Sequence, residues 1–471
     1  MRFSKRDANV LQVATRWSRF GAALAAVMAL GAGVAQAADM AAKAPKAPPA
    51  PQSIWERETL TGDWGGLRTD LHNKGIDITA QYIAETFGVL SGGRERRGTY
   101  EGRFEFSLDA DLQKLVGWTG ASAHVTAFQI HNGGRNAANI AGSIADPSNI
   151  DALKTTRLFT AWFQQDFNGI ASLRVGQLAA DDEFFTSDTA GGLLNGTFGW
   201  GNNLAANMTN GGPAYPLATP GARLQVNASD NLTFRGGVFA GDPAGKDCNE
   251  DAQKCNRHGV TFSTSGGTLW MGEAQYAVNQ GKNAIGLPGV YKIGAWYQTA
   301  DFADRRYGLD AGGATVLLSD PAATDPLNHS GNRGIYGVAD QTVWRGGERS
   351  VSLFLRGGYS PKDRNLITWY VDGGAGFKGI VPRRADDTFT LGISYAKISD
   401  DVVSADRDAG NAVRDYEVVL EASYAAQITP WWVVQPDLQY IVHPNGGQNP
   451  DDGTQSFDHA FLAGLRSTIT F

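Results

Sequence analysis

The charged residues of this chain alternate with apolar ones, and the spacing suits a wet wall better than a reaction centre. From Thr99 to Leu112, Glu101, Arg103, Glu105, Ser107, Asp109 and Asp111 take every second position. Tyr100, Gly102, Phe104, Phe106, Leu108, Ala110 and Leu112 fill the others. A strand turns successive side chains to opposite faces, so this segment has one polar and one apolar face. Catalysis would instead need a nucleophile, a base and an orienting group converging in space. The sequence contains no G-x-S-x-G and no H-E-x-x-H, and none of its seven His is paired at ligand spacing. No enzyme activity, cofactor or metal is therefore expected. Gly374-x-Gly376-x-x-Gly379 matches a nucleotide-loop pattern. It ends a strand with no helix after it, so its glycines belong to a turn and a crowded sheet. Cys248 and Cys255 have six residues between them, and in an oxidising compartment they read as a disulfide closing one loop.

The elements that position these residues repeat along the chain. Ile76, Ile78, Ala80, Tyr82 and Ala84 alternate with Asp77, Thr79, Gln81 and Glu85. Tyr416, Val418, Leu420, Ala422 and Tyr424 alternate with polar residues, as do Trp432, Val434, Leu438 and Tyr440. The chain closes on Phe461, Ala463, Leu465, Ser467, Ile469 and Phe471. Sixteen strands are expected: 76–90, 99–113, 120–131, 156–167, 171–179, 221–228, 231–240 and 268–279, then 289–299, 334–344, 350–360, 365–376, 387–399, 415–428, 431–442 and 460–471. Soluble strands average about 5–6 residues. Longer two-faced strands in even number suit an antiparallel transmembrane β-barrel.

The gaps support this reading. Those at 132–155, 180–220, 241–267, 300–333, 400–414 and 443–459 are long, while Asn168-Gly169-Ile170, Ser229-Asp230, Gly346-Gly347-Glu348 and Thr429-Pro430 are tight. Long loops on one side and short turns on the other mark an outer-membrane barrel. At sixteen strands the lumen is a water-filled channel. A soluble propeller would show a blade repeat, which is absent.

Composition excludes other classes. The 471 residues are 42% apolar and 19% charged, with 59 Gly and a mean hydropathy of −0.27. A bundle of spanning helices would need runs of about 20 apolar residues. Arg2, Lys5, Arg6, Arg16 and Arg19 precede the apolar run Phe20–Val34 and the small-x-small Ala35-Gln36-Ala37, so residues 1–37 read as a secretory signal peptide. Its removal leaves 36 basic and 47 acidic residues, a net charge of −11. No nucleic acid is expected as a partner. Residues 38–75 read as a periplasmic spacer, rich in Pro and Ala (Ala41 to Pro51), followed by a short helical segment. Residues 76–471 form the barrel.

Alternation nominates the pore lining: Glu85, Glu101, Arg103, Glu105, Asp109, Arg174, Arg223, Arg235, Glu273, Lys292, Trp296, Arg356, Asp372 and Glu417. His124, Gln225, Gln298, Glu421 and Asp437 share that phase, and Asp181 and Asp182 open the long gap after 179. The 180–220 loop is expected to fold inward and narrow the lumen. Both signs of charge are interleaved. A ring of one sign would argue for ion selectivity, whereas the mixture suits neutral polyhydroxylated solutes. A porin for small anions or organic acids is the alternative. A gated transporter would need a plug of more than a hundred residues, and about 38 lie between the cut and the first strand.

Leu60-Thr61-Gly62-Asp63-Trp64-Gly65-Gly66-Leu67-Arg68-Thr69-Asp70-Leu71, followed by Lys74-Gly75-Ile76, resembles the opening of carbohydrate-selective porins of the OprB type. So do Leu173-Arg174-Val175-Gly176-Gln177-Leu178 with Asp181-Asp182-Glu183-Phe184, and Ala339-Asp340-Gln341. Order and mature length match from about residue 53 to Phe471. The resemblance implies a sixteen-stranded barrel in a Gram-negative outer membrane, passing glucose-like sugars and small oligosaccharides down their gradient. It implies a short helical element at the periplasmic mouth, from Trp64-Gly65-Gly66 and Arg68. The C-terminal Phe471 looks like the signal read by the barrel assembly machinery. Small sugars and outer-membrane lipid are the other expected partners, with monomer and homotrimer both open. The Pro/Ala/Lys spacer is not part of the family pattern.

Overall fold

A computed structural model describes residues 53–134, 136–245, 247–264, 266–280 and 284–471. The expected signal peptide, and the spacer up to residue 52, lie outside the described residues. A short helix at Trp64–Gly66 runs into another at Leu67–Lys74. Gly75 ends the latter in the left-handed region, where a Cβ would meet the Asp111 carbonyl at 2.8 Å. Seventeen strands follow. They are β1 (Ile76–Gly92), β2 (Gly98–Asp111), β3 (Ala121–Asn132), β4 (Thr155–Phe167), β5 (Ala171–Leu178) and β6 (Thr219–Asn227). Next come β7 (Leu232–Ala240), β8 (Thr268–Val278), β9 (Gly289–Asp310), β10 (Thr315–Leu317), β11 (Ala323–Gly346) and β12 (Arg349–Tyr359). The last are β13 (Ile367–Lys378), β14 (Thr388–Ile398), β15 (Tyr416–Thr429), β16 (Trp432–Val442) and β17 (His459–Thr470).

Every neighbouring pair is antiparallel, β9 pairs directly with β11, and β1 pairs with both β2 and β17. The sheet therefore closes as a sixteen-stranded barrel, with three-residue β10 beside it. Closure leaves no open edge, the condition for a sheet in hydrocarbon. Alternation puts Leu224, Phe234, Ile293, Ile335, Leu355, Val371, Ile393, Leu420, Leu438 and Leu465 on the outside, all exposed. In water that surface would be a liability; in lipid it is the solvated face. The termini of the barrel meet at the rim of short turns. Phe471 donates its N–H to the Ala80 carbonyl, Leu60 donates to that of Thr470, and Arg68 Nη2 bonds the Phe471 carbonyl at 2.7 Å.

The strand pattern matches the sequence expectation, with one large difference. The 300–333 gap is not a loop: β9 and β11 continue past the barrel as a long hairpin to Asp310 and from Ala323. Above the membrane neither face of the hairpin meets lipid, so no two-faced pattern marks it. Four helices, Ala137–Ala141, Asn202–Ala205, Ala252–Cys255 and Asp400–Asp408, also lie within expected loops.

The nucleotide-loop pattern resolves into sheet and turn. A Cβ on Gly374 would lie 2.1 Å from the Leu391 carbonyl oxygen and 2.6 Å from the Phe354 ring, while Gly379 has φ +67° at the turn. Gly374→Val is expected to part β13 from β14 at a cost of about 1–3 kcal/mol. The barrel should then lose its compact electrophoretic mobility at a lower temperature. An unchanged transition would count against this packing argument.

Candidate functional site: the barrel lumen

Among the described residues at the other rim, L2 (133–154), L3 (179–218) and, along one edge, L4 (241–267) fold back into the barrel. L3 carries its own apolar packing. Phe184, Phe185, Leu204 and Met208 pack with Phe239, Leu269, Met271, Trp296, Tyr336, Ile367 and Tyr370 of the wall. L3 thereby occupies part of the lumen, in line with the sequence expectation of an inward 180–220 loop.

The wall grips these loops chiefly through main-chain amides. Glu421 accepts from Leu194 N at 2.5 Å and Asn195 N at 3.0 Å. Glu417 accepts from Ile144 N, Ala145 N and Asn445 N at 2.7–2.8 Å. Glu101 accepts from Ala137 N, and Glu273 from Phe185 N and the Tyr336 hydroxyl. Asp340 accepts from Thr189 N at 2.9 Å and from the hydroxyls of Ser187 and Thr189. A carboxylate holding backbone N–H groups makes charge-assisted bonds, roughly twice as strong as neutral ones.

Arg356 is a cationic anchor of the same kind. Its guanidinium pairs with Asp372, both side chains being fully buried. It also donates to the carbonyls of Phe185 (3.0 Å), Gly199 (2.9 Å) and Thr197 (3.1 Å). Glu85 receives the Ser148 hydroxyl and the Arg466 guanidinium. Of the residues nominated for the pore lining, Glu85, Glu101, Glu273, Trp296, Arg356, Asp372 and Glu417 thus face inward but lie under a loop. Alternation identifies the face of a strand, and it is silent on what covers that face.

The others border open space. One chamber of about 760 Å³ is lined by Arg174, Asp182, Arg223, Arg235 and Lys292, with Thr186, Ser187 and Thr390 among its hydroxyls. A second of about 480 Å³ is lined by Arg103, Glu105, His124, Asp181, Asp182 and Tyr215. Asp182 belongs to both, so the two meet at the start of L3. Asp109 stands half-exposed beyond the second chamber, bonded to His124 at 2.6 Å.

Register builds the charge pattern. Arg174 on β5 faces Arg223 on β6, and Arg235 on β7 faces Glu273 on β8. Three guanidinia would repel, and Glu183 of L3 enters between them. It pairs with Arg174 at 2.7 Å and Arg223 at 2.7 Å, and lies 3.9 Å from Arg235. Glu183 was not among the nominated lining residues. It lies on a loop without period, and its place in the motif Asp181-Asp182-Glu183-Phe184 was the signal that could have found it. Lys292 is tied to Thr186 of the same loop through its carbonyl (2.9 Å) and hydroxyl (2.6 Å).

Aromatic rings stiffen the cations. Arg174 lies 3.8 Å over Trp162, and Arg103 stands 4.7 Å from Phe128 and 5.2 Å from Tyr215 while bonding Glu105 at 2.9 Å. Such contacts hold a guanidinium flat against a ring and limit its motion. Tyr215 is itself fixed by Asp181, which accepts its N–H at 2.9 Å, and by its hydroxyl bond to the Ile150 carbonyl at 2.7 Å. Beyond the lumen, Cys248 and Cys255 form the expected disulfide. Among the described residues no cluster of His, Cys, Asp and Glu is arranged to hold a metal.

A closed lipid-facing barrel with a mixed-charge, loop-narrowed lumen defines a porin. Residues 95–471 match the carbohydrate-selective porin family of the OprB type, and the chain belongs to that family. It is similar to Porin B of Pseudomonas aeruginosa, 28% identical over 445 residues, covering 88% of this chain and 91% of that protein. It is also similar to the putative porin QuiX of Acinetobacter baylyi, 24% identical over 448 residues, covering 88% and 94% respectively. The high-pH structure of Pseudomonas putida OprB superposes with a TM-score of 0.77 at 25% identity, covering 89% of this chain and all of that one. The chain is an outer-membrane channel of Gram-negative type.

Proposed function

We propose that neutral monosaccharides and small oligosaccharides diffuse passively past the wall of Arg103, Glu105, Asp182, Arg174, Arg223 and Arg235. The supporting observation is the pairing of charge in that wall. Each cation has a carboxylate or a ring beside it, as at Glu183 with its arginines and Glu105 with Arg103. A solute with hydroxyls finds both donors and acceptors there, while a small ion meets no field of one sign. No step in this reading makes or breaks a covalent bond, so the chain acts as a conduit and not as an enzyme. Processing after residue 37, a periplasmic spacer from 38, and assembly through Phe471 complete the reading.

Liposomes containing the purified protein should swell in isotonic glucose and in short oligosaccharides, with weak ion selectivity. Exclusion of sugars with strong anion conductance would replace this reading with the anion porin. Arg103→Ala and Glu105→Ala should each alter glucose influx severalfold while the barrel keeps its heat-modifiable mobility. Loss of that mobility would make the pair structural instead.

A further inference from the structure

Between L2 and L4, at the rim of long loops, lies a cavity of about 400 Å³. That volume is within the range of small-molecule pockets, roughly 300–1,000 Å³. It shares no lining residue with the two lumen chambers. Its polar surface comes mainly from Asn136, Asn139, Lys154, Gln253, Lys254 and Arg257, and no carboxylate lines it. Three cations face one space in a chain whose net charge is −7.

The amides are turned by the backbone. Gln253 Oε1 accepts from Leu153 N at 2.8 Å and from Arg157 Nη1 at 3.3 Å, which leaves its Nε2 as a donor. Asn136 Oδ1 accepts from Asn139 N at 3.1 Å and from the Asn139 side-chain amide, while its own amide is engaged by the Asp151 carboxylate. Asn139 Oδ1 remains as an acceptor. The pocket thus offers an excess of N–H donors and at least one acceptor.

Its L4 wall is held in place. The disulfide Cys248–Cys255 closes the turn around the helix Ala252–Cys255. Buried Arg157 donates to the Arg257 carbonyl at 3.2 Å, and Leu158 N donates to that of His258 at 3.0 Å. Lys254 has a carboxylate near it, Glu250 at 3.6 Å, but both side chains are more than half exposed, so the pair is weak.

We propose that this pocket binds a hydroxylated anion, a monosaccharide bearing a carboxylate, at the outer mouth of the channel. The carboxylate lies among Lys154, Lys254 and Arg257, Gln253 donates to its oxygens, and a ring hydroxyl donates to Asn139. The site stands apart from the conduit and does not depend on which residues line it.

The test is calorimetry on the full-length purified protein with D-galacturonate and D-galactose, two sugars of one ring stereochemistry that differ by the carboxylate. Galacturonate should bind at least tenfold more tightly, and the difference should shrink as salt rises. Lys154→Ala and Arg257→Ala should each remove most of the preference. Both side chains are exposed, and retained heat-modifiable mobility confirms folded barrels. Cys248→Ser with Cys255→Ser should weaken galacturonate binding severalfold and leave galactose unaffected. Equal affinity for the two sugars would overturn the proposal. So would a preference that survives both charge removals, because the carboxylate would then be held in the conduit. Glucose-driven swelling is read separately, so failure here and failure of the sugar-conduit reading are distinguishable.

Discussion

Arg356→Ala is expected to raise the unitary conductance of the channel and blunt its discrimination by solute size. The substitution removes four partners at once: Asp372 and the carbonyls of Phe185, Gly199 and Thr197. Asp372 would be left buried with the Tyr370 hydroxyl at 2.7 Å as its remaining named partner. Breaking a buried pair from one side costs about 3–5 kcal/mol, because the surviving charge is uncompensated. Three of the four partners are L3 carbonyls, whereas the sixteen ladders of the wall do not involve the guanidinium. L3 should therefore loosen while the barrel stands. Arg356→Lys keeps the charge and loses the planar fork, so it should fall between the two. Planar-bilayer recordings check this. Wild-type conductance and wild-type sugar cutoff in the Ala variant would refute the anchoring role.

The second large effect is expected at Glu183. Its carboxylate sits among Arg174, Arg223 and Arg235 and is mostly buried. Glu183→Gln keeps the shape and leaves three guanidinia facing the chamber. Two unit charges 4 Å apart interact by about 4 kcal/mol at an effective dielectric of 20, so loss of the counter-charge turns a balanced wall positive. Reversal potentials measured across a potassium chloride gradient should move toward anion preference, most strongly at low salt. Glucose flux should fall as well, because one carboxylate oxygen becomes an amide donor and the arginines are free to reorient. A variant with unchanged selectivity would show that the field is set elsewhere.

The strands were legible because two solvents press on each one. Lipid outside and water inside force Phe104 and Phe106 to one face and Arg103 and Glu105 to the other, and that pressure writes itself into the sequence with a period of two. Where both faces meet the same medium the signal stops. The projecting part of β9 and β11 went unread for that reason, although Asp310 and Ala323 pair across it. In the lumen, inward direction was legible at Arg356, Trp296 and Glu417, but the covering loop was not. Loop docking depends on contacts between residues far apart in sequence, such as Glu421 with Leu194 or Arg356 with Thr197. Glu183 had no periodic context to betray it. The family resemblance supplied the Arg68 segment, and the bond from Arg68 to Phe471 gives it a physical task.

Most of the carboxylates that hold L2 and L3 take hold of peptide N–H groups, which every residue but proline carries. Glu417 does so at Ile144 and Ala145, and Glu421 at Leu194 and Asn195. Such a clasp is indifferent to side-chain identity. Mutation can remodel the inner contour of the passage residue by residue while its moorings stay engaged, so a lineage of these barrels can change diet without redesigning its staves.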